Sequence, residues 1–155
     1  MKGKTNSSSF VVKVLILLLV LLAVGALFGG GAFLLAPDGR LIEMPISHLK
    51  NSPFKDFLIP GIFLFTFLGL YPAAVAYSLW KRLAWRWPDA INPFRQFHWS
   101  WAATLAAGVI VLIWITVEMV WVPFGIVHVV YLVWGALLLA LALLPGVRRY
   151  CSRAG

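Results

Sequence analysis

One carboxylate and one imidazole stand inside otherwise apolar runs of this sequence, and they are the residues best placed to do chemistry. Glu118 lies four residues before Val122, and His128 lies four residues after Phe124. At about 1.5 Å per helical residue, each sits roughly 6 Å from its end of the connecting segment. An ionisable residue at that depth in an apolar segment is costly unless it is paired or used. With Val122–Phe124 read as the whole turn, two antiparallel helices bring Glu118 and His128 level. Their spacing predicts a hydrogen-bonded pair surrounded by Trp114, Trp121 and Tyr131. That pair either fixes the register of the hairpin or relays a proton.

Other chemistries find little support. No metal centre is expected, because the three histidines, His48, His98 and His128, fall in no HExxH or other ligand spacing. His98 and His128 belong to opposite ends of their helices, about 30 Å apart, which is too far to share a haem. Cys151 is the sole cysteine, so no internal disulfide and no CxxC redox pair can form. It reads as a spare thiol, with palmitoylation beside Arg148, Arg149 and Arg153 as the alternative. Nucleophile triads and phosphate-binding loops are absent, and no cofactor is expected.

The elements that must position these residues follow from composition. Of 155 residues, 62% are hydrophobic and only 12% charged, and the mean hydropathy is +0.93. Soluble domains are about 45–50% apolar and about 25% charged, and a chain this small could not hide the excess from water. Four apolar runs, about 10–35, 57–80, 99–122 and 124–144, each approach the ~20 residues that cross ~30 Å of hydrocarbon as a helix. Helices satisfy their own backbone polar groups in lipid, and no strand-like alternation runs through these segments. The sequence therefore predicts an all-α membrane protein, a bundle of four transmembrane helices in one domain.

Orientation follows from Lys and Arg. Ten lie in the leader with Lys13, in residues 81–97 and in the tail, against three (Arg40, Lys50, Lys55) in residues 36–56. The bias predicts a multi-pass protein of the inner cell membrane with both termini cytoplasmic. The leader, with Lys2, Lys4 and Ser7–Ser9, resembles the start of a signal peptide. The apolar run after it is too long for one and shows no A-x-A site, which predicts a retained anchor.

The extracytoplasmic loop 36–56 carries its own signals. Pro37-Asp38-Gly39 is a turn sequence that would let Leu34-Leu35 pair with Leu41-Ile42 as a small hairpin. Ser52-Pro53 reads as a helix cap opening the second span, and Pro72 predicts a kink within it.

On the cytoplasmic side, Lys81, Arg82, Trp85, Arg86, Trp87, Arg95 and Trp99 interleave cations with aromatics. Such a belt suits the membrane interface and anionic headgroups. The net charge of +8 is spread through these flanks rather than along one water-facing surface, so no nucleic-acid partner is expected.

Packing between spans needs small residues. Gly25 and Gly29 form one GxxxG match. In the third span Ser100, Thr104, Ala107, Val111, Trp114, Glu118 and Trp121 fall on one stripe expected to face the bundle interior.

The sequence Pro37-Asp38-Gly39, Met44-Pro45, Ser52-Pro53-Phe54 and Asp56-Phe57-Leu58-Ile59-Pro60-Gly61 resembles that of a group of small, uncharacterised bacterial four-span membrane proteins. Asn92-Pro93-Phe94, His98-Trp99-Ser100-Trp101 and Trp114-Ile115 with Glu118 extend the resemblance over most of the chain. It implies the same four-span topology and no particular activity. Small multidrug transporters carry a first-span Glu and vitamin K epoxide reductases a CxxC, and this chain has neither.

Two functions follow as expectations. The first is a non-enzymatic membrane component that binds lipids or a protein partner, either a further copy of itself or a membrane subunit. The alternative is a small oligomeric proton-linked transporter or channel using Glu118 and His128.

Overall fold

In a computed structural model, the chain forms four helices long and apolar enough to cross a membrane: Phe10–Leu35, Leu58–Lys81, Trp99–Glu118 and Ile126–Leu143. The structure describes the backbone of residues 3–153 and the side chains of residues 10–153. Lys2, and the side chains of Lys4 and Ser7–Ser9 in the leader, lie outside the described residues. Helix α1 spans Gly3–Leu35. The second span begins as α2 (Leu58–Phe63), widens to a π-turn over Leu64–Leu70 and continues as α3 (Tyr71–Lys81). A short α4 (Arg86–Ala90) leads to α5 (Trp99–Glu118), α6 (Ile126–Leu143) and a terminal α7 (Pro145–Cys151).

Around the bundle, α1 packs on the second span, that span on α5, α5 on α6, and α6 back on α1. We call the end holding residues 36–57 and 119–125 the loop end, and the end holding 82–98 and α7 the tail end. Leu15, Leu19, Leu68, Val75, Val111 and Leu138 are buried between the spans. Two glycine pairs let backbones meet where any side chain would collide. A Cβ on Gly30 would lie 2.6 Å from the Phe65 backbone nitrogen, and one on Gly61 would lie 2.7 Å from Phe33 Cβ. Gly108 and Gly135 do the same for α5 and α6, where a Cβ on either would lie 3.2 Å from the other's carbonyl oxygen. The Gly25–Gly29 match is looser, with Gly25 meeting nothing nearer than 3.9 Å.

The stripe on α5 points inward as expected, and Ser100, Thr104, Ala107 and Val111 are buried. Thr104 returns its hydroxyl to the Ser100 carbonyl at 2.8 Å, which satisfies that buried polar group within its own helix.

Three local expectations give way. The second span opens at Leu58, not at Ser52-Pro53. Ser52 Oγ instead accepts the Phe54 N–H in a local turn, and Asp56 Oδ1 accepts the Leu58 N–H at 2.9 Å. Residues 34–42 form no hairpin: Leu34-Leu35 finish α1, while Arg40–Ile42 and Ile46–Leu49 coil as 3₁₀ turns. The turn itself is present. Gly39 N–H reaches the Ala36 carbonyl, and Gly39 takes φ 77° against the Met44 carbonyl, where a Cβ could not fit. Pro72 acts one turn ahead of itself. Lacking an N–H and crowding the carbonyl four residues back, it leaves the preceding turn to widen, and the Tyr71 N–H bonds Thr66 O.

The third expectation concerns the last connection. α5 stops at Glu118 and α6 starts at Ile126, so the turn covers 119–125 rather than 122–124. Val122 precedes a proline and is steered away from helix. Glu118 O collects the N–H groups of both Trp121 and Val122, which closes the helix.

At the tail end α7 folds back under the bundle. His98 N–H bonds the Cys151 carbonyl at 2.7 Å, Arg153 N–H bonds the Gln96 carbonyl, and Tyr150 donates to the Leu79 carbonyl at 3.0 Å. Cys151 is buried there, and in this fold its thiol is shielded from acylation.

Candidate functional site

The shift of the turn decides what becomes of the polar pair. Glu118 is the last residue of α5, while His128 sits in the first turn of α6. His128 Nδ1 accepts the Gly125 N–H at 3.1 Å, half of a capping box that satisfies the open start of its own helix. The ring stacks on Phe124 at 5.7 Å, and its buried Nε2 has no hydrogen-bond partner. No hydrogen bond or ion pair joins Glu118 to His128 among the described residues. The expected pair is therefore not formed, because the longer turn sends the imidazole to cap a helix.

What the structure gathers instead is a cavity of about 220 Å³ at the loop end. Four of the five predicted site residues line it: Trp114, Glu118, Trp121 and Tyr131; His128 does not. Helix α1 contributes Gly25, Gly29 and Phe33, and the second span contributes Pro60, Leu64 and Leu68. The loop lays Ile42, Met44, Leu49, Phe54 and Phe57 over the top. Glu118 is the single ionisable carboxylate among these walls.

Aromatic packing holds the cavity open and in place. Trp114 lies flat on Phe63 with ring centroids 4.5 Å apart, and Phe33 stacks on Phe57 at 4.6 Å. Phe54 meets Trp121 edge-on at 5.8 Å, tying the roof to the end of α5. The loop is anchored by Phe57 N–H to the Pro37 carbonyl at 2.8 Å. Helix α1 passes Tyr131 at Gly25, where an added Cβ would stand 3.9 Å from the Tyr131 hydroxyl, an ordinary contact.

Such a space has apolar walls, one carboxyl group and, among its lining residues, three that carry donors: Trp114, Trp121 and Tyr131. Chemically it can hold a hydrocarbon segment whose end carries a donor or a positive charge. It offers no nucleophile with a base beside it, and among the described residues no three His, Cys, Asp or Glu side chains converge as metal ligands.

Sequence reasoning found the α5 and α6 walls but missed the roof. The signal was present in the alternation of Ile42, Met44, Leu49, Phe54 and Phe57 through a loop otherwise rich in polar and turn residues. Apolar side chains in such a loop need somewhere to go.

At the tail end, Lys81, Arg82, Trp85, Arg86, Trp87 and Arg95 of the expected belt are exposed. Trp99 departs from it. It is buried, stacks on Trp85 at 5.6 Å and donates its indole N–H to the Leu83 carbonyl. His98 caps α5 through Nδ1, and its partial burial, with Arg82 nearby, lowers the imidazole from its ordinary range.

No protein-family model, curated protein or solved structure matches this chain.

Proposed function

We propose that this chain is a non-enzymatic membrane protein that binds one amphipathic molecule in its loop-end cavity. The observation that carries the reading is the cavity wall itself: apolar side chains from all four spans and the loop, broken by a single carboxylate. The apolar part of a lipid-like ligand would occupy the space between Gly25, Leu64 and Val111. Its polar end would meet Glu118, Trp114 and Tyr131. At about 220 Å³ the cavity is smaller than the ~300–1,000 Å³ of sites for drug-sized ligands. It suits one short chain or the end of a longer one.

We further propose an inner-membrane location with both termini cytoplasmic, which places this cavity in the outer leaflet. The support is the ten-to-three distribution of Lys and Arg between the two ends. Membership of the small bacterial four-span group stands on the same footing, as a proposal carried by the Pro37–Gly61 sequence.

The transporter alternative requires Glu118 and His128 to exchange a proton. The unpartnered His128 Nε2 is the one observation in its favour, and the absence of a hydrogen bond between the two residues weighs against it.

Native mass spectrometry of the chain extracted from its own membranes tests the binding reading. The wild type should carry one amphipathic molecule that Gly25→Leu, which fills the space beside Tyr131, does not retain. A folded Gly25→Leu variant carrying the same molecule at the same occupancy would overturn the assignment.

A further inference from the structure

A second and larger space lies at the other end of the molecule. A groove of about 640 Å³ runs between α3 and α5 and under the segment 85–94. That volume is within the ~300–1,000 Å³ of ligand sites. Its sides are cut back by alanines on both helices, Ala74 facing Ala102, Ala103 and Ala106. At its floor the Tyr71 hydroxyl donates to the Ala103 carbonyl at 2.9 Å, fixing the two helices apart. The groove follows α5 from Trp99 to Val109. Ten residues at ~1.5 Å make about 15 Å, half the thickness of a ~30 Å hydrocarbon layer. The groove is one leaflet deep.

Its mouth is built for the interface. Trp87 in α4 and Ile91 just past its end line it while remaining 88% and 82% exposed. Buried Asn92 holds the segment's shape by bonding the Phe94 and Phe97 carbonyls. Arg86 lies within this segment and Arg95 directly follows it; both are exposed and form no ion pair among the described residues. Asp89 is the one acidic residue of this end, and Arg153 already neutralises it. The rim therefore carries uncompensated positive charge over an apolar slot.

We infer that the α3–α5 groove seats one anionic diacyl phospholipid. An acyl chain lies along Ala102–Val109, and the phosphate meets Arg86 and Arg95 while Trp87 rests at headgroup level. Charge complementarity selects this occupant over a second copy of the chain, whose own tail end is equally basic and would be repelled. The inference is independent of the loop-end cavity, which lies at the opposite end.

The test uses the full chain in nanodiscs containing equal amounts of phosphatidylglycerol and phosphatidylcholine with identical chains. Native mass spectrometry should show one retained phosphatidylglycerol per chain, preferred about tenfold or more, given the attraction that each Lys or Arg adds near an anionic surface. Arg86→Gln together with Arg95→Gln should bring the preference to about one. In the wild type, phosphatidylglycerol with a diazirine on its acyl chain should label Ala74 and Ala102–Val109. Equal retention of the two lipids by the wild type would overturn the inference. So would a preference that survives in the folded double variant, labels spread evenly around the bundle, or crosslinks joining the grooves of two copies.

Discussion

At the scale of single residues, the local turn rather than the spacing from it sets the role of each polar group. Glu118 and His128 are equidistant from Pro123, and that symmetry made their pairing legible as an expectation. It failed because Val122, held before a proline, cannot extend α5, and because extended Gly125 delays α6 until Ile126. His128 then has an orphan helix-terminal N–H within reach and caps it. Trp114, Trp121 and Tyr131 stayed legible because aromatic side chains near the only carboxylate of a span face the same interior. Cys151 offers a sharper residue-scale prediction. Its burial pushes the thiol up to about 11 from 9.0, with Arg82 opposing weakly. A raised thiol favours the protonated form in the folded chain, so this contribution to stability persists below pH 9.0 and fades as pH rises towards about 11. At neutral pH the folded chain should label with a maleimide far more slowly than the denatured chain. Equal labelling rates would place the thiol at the surface.

Between residues and the whole, the elements were legible from length and hydropathy, while their crossings were not. The four spans emerge within a few residues of their expected limits, with the largest shift beside Pro123, where α5 ends at Glu118 rather than Val122. The crossings depend on which glycine faces which backbone, and that is a property of two helices at once. The Gly25–Gly29 match pointed to the wrong glycine of a run of several. Gly30 is the one pressed against Phe65, and Gly25 instead leaves cavity space. Gly30→Ala should therefore destabilise the bundle by about 1–3 kcal/mol, the range of overpacked cores. Gly25→Ala should change it by less than about 0.5 kcal/mol, as substitutions without a clash do. Reversible unfolding in mixed micelles checks both, and the opposite ranking would mean that α1 crosses α2 elsewhere. The loop shows the same division. Its turn at Gly39 was readable from three residues, but its docking over the cavity depended on Phe57 meeting Phe33 from another element.

For the whole molecule, two spaces lie at opposite ends of one bundle. The loop end closes over a small cavity with one carboxylate, and the tail end opens a larger groove under a basic, aromatic rim. The proposed orientation puts residue 90 and residue 155 on the cytoplasmic side, so reporter fusions at both should read cytoplasmic. A periplasmic reading from either would invert or break the four-span arrangement. The most direct test of the central claim is a titration of the full chain in nanodiscs with three short probes, hexylamine, hexanol and hexanoate, followed by thermal unfolding. The loop-end cavity predicts that hexylamine raises Tm most and hexanoate least, because an ammonium can donate to the Glu118 carboxyl whereas a carboxylate has no proton to give it. Glu118→Gln should keep the fold and erase the difference between hexylamine and hexanoate. A wild-type chain that none of the three stabilises, or that hexanoate stabilises as well as hexylamine, would contradict the account.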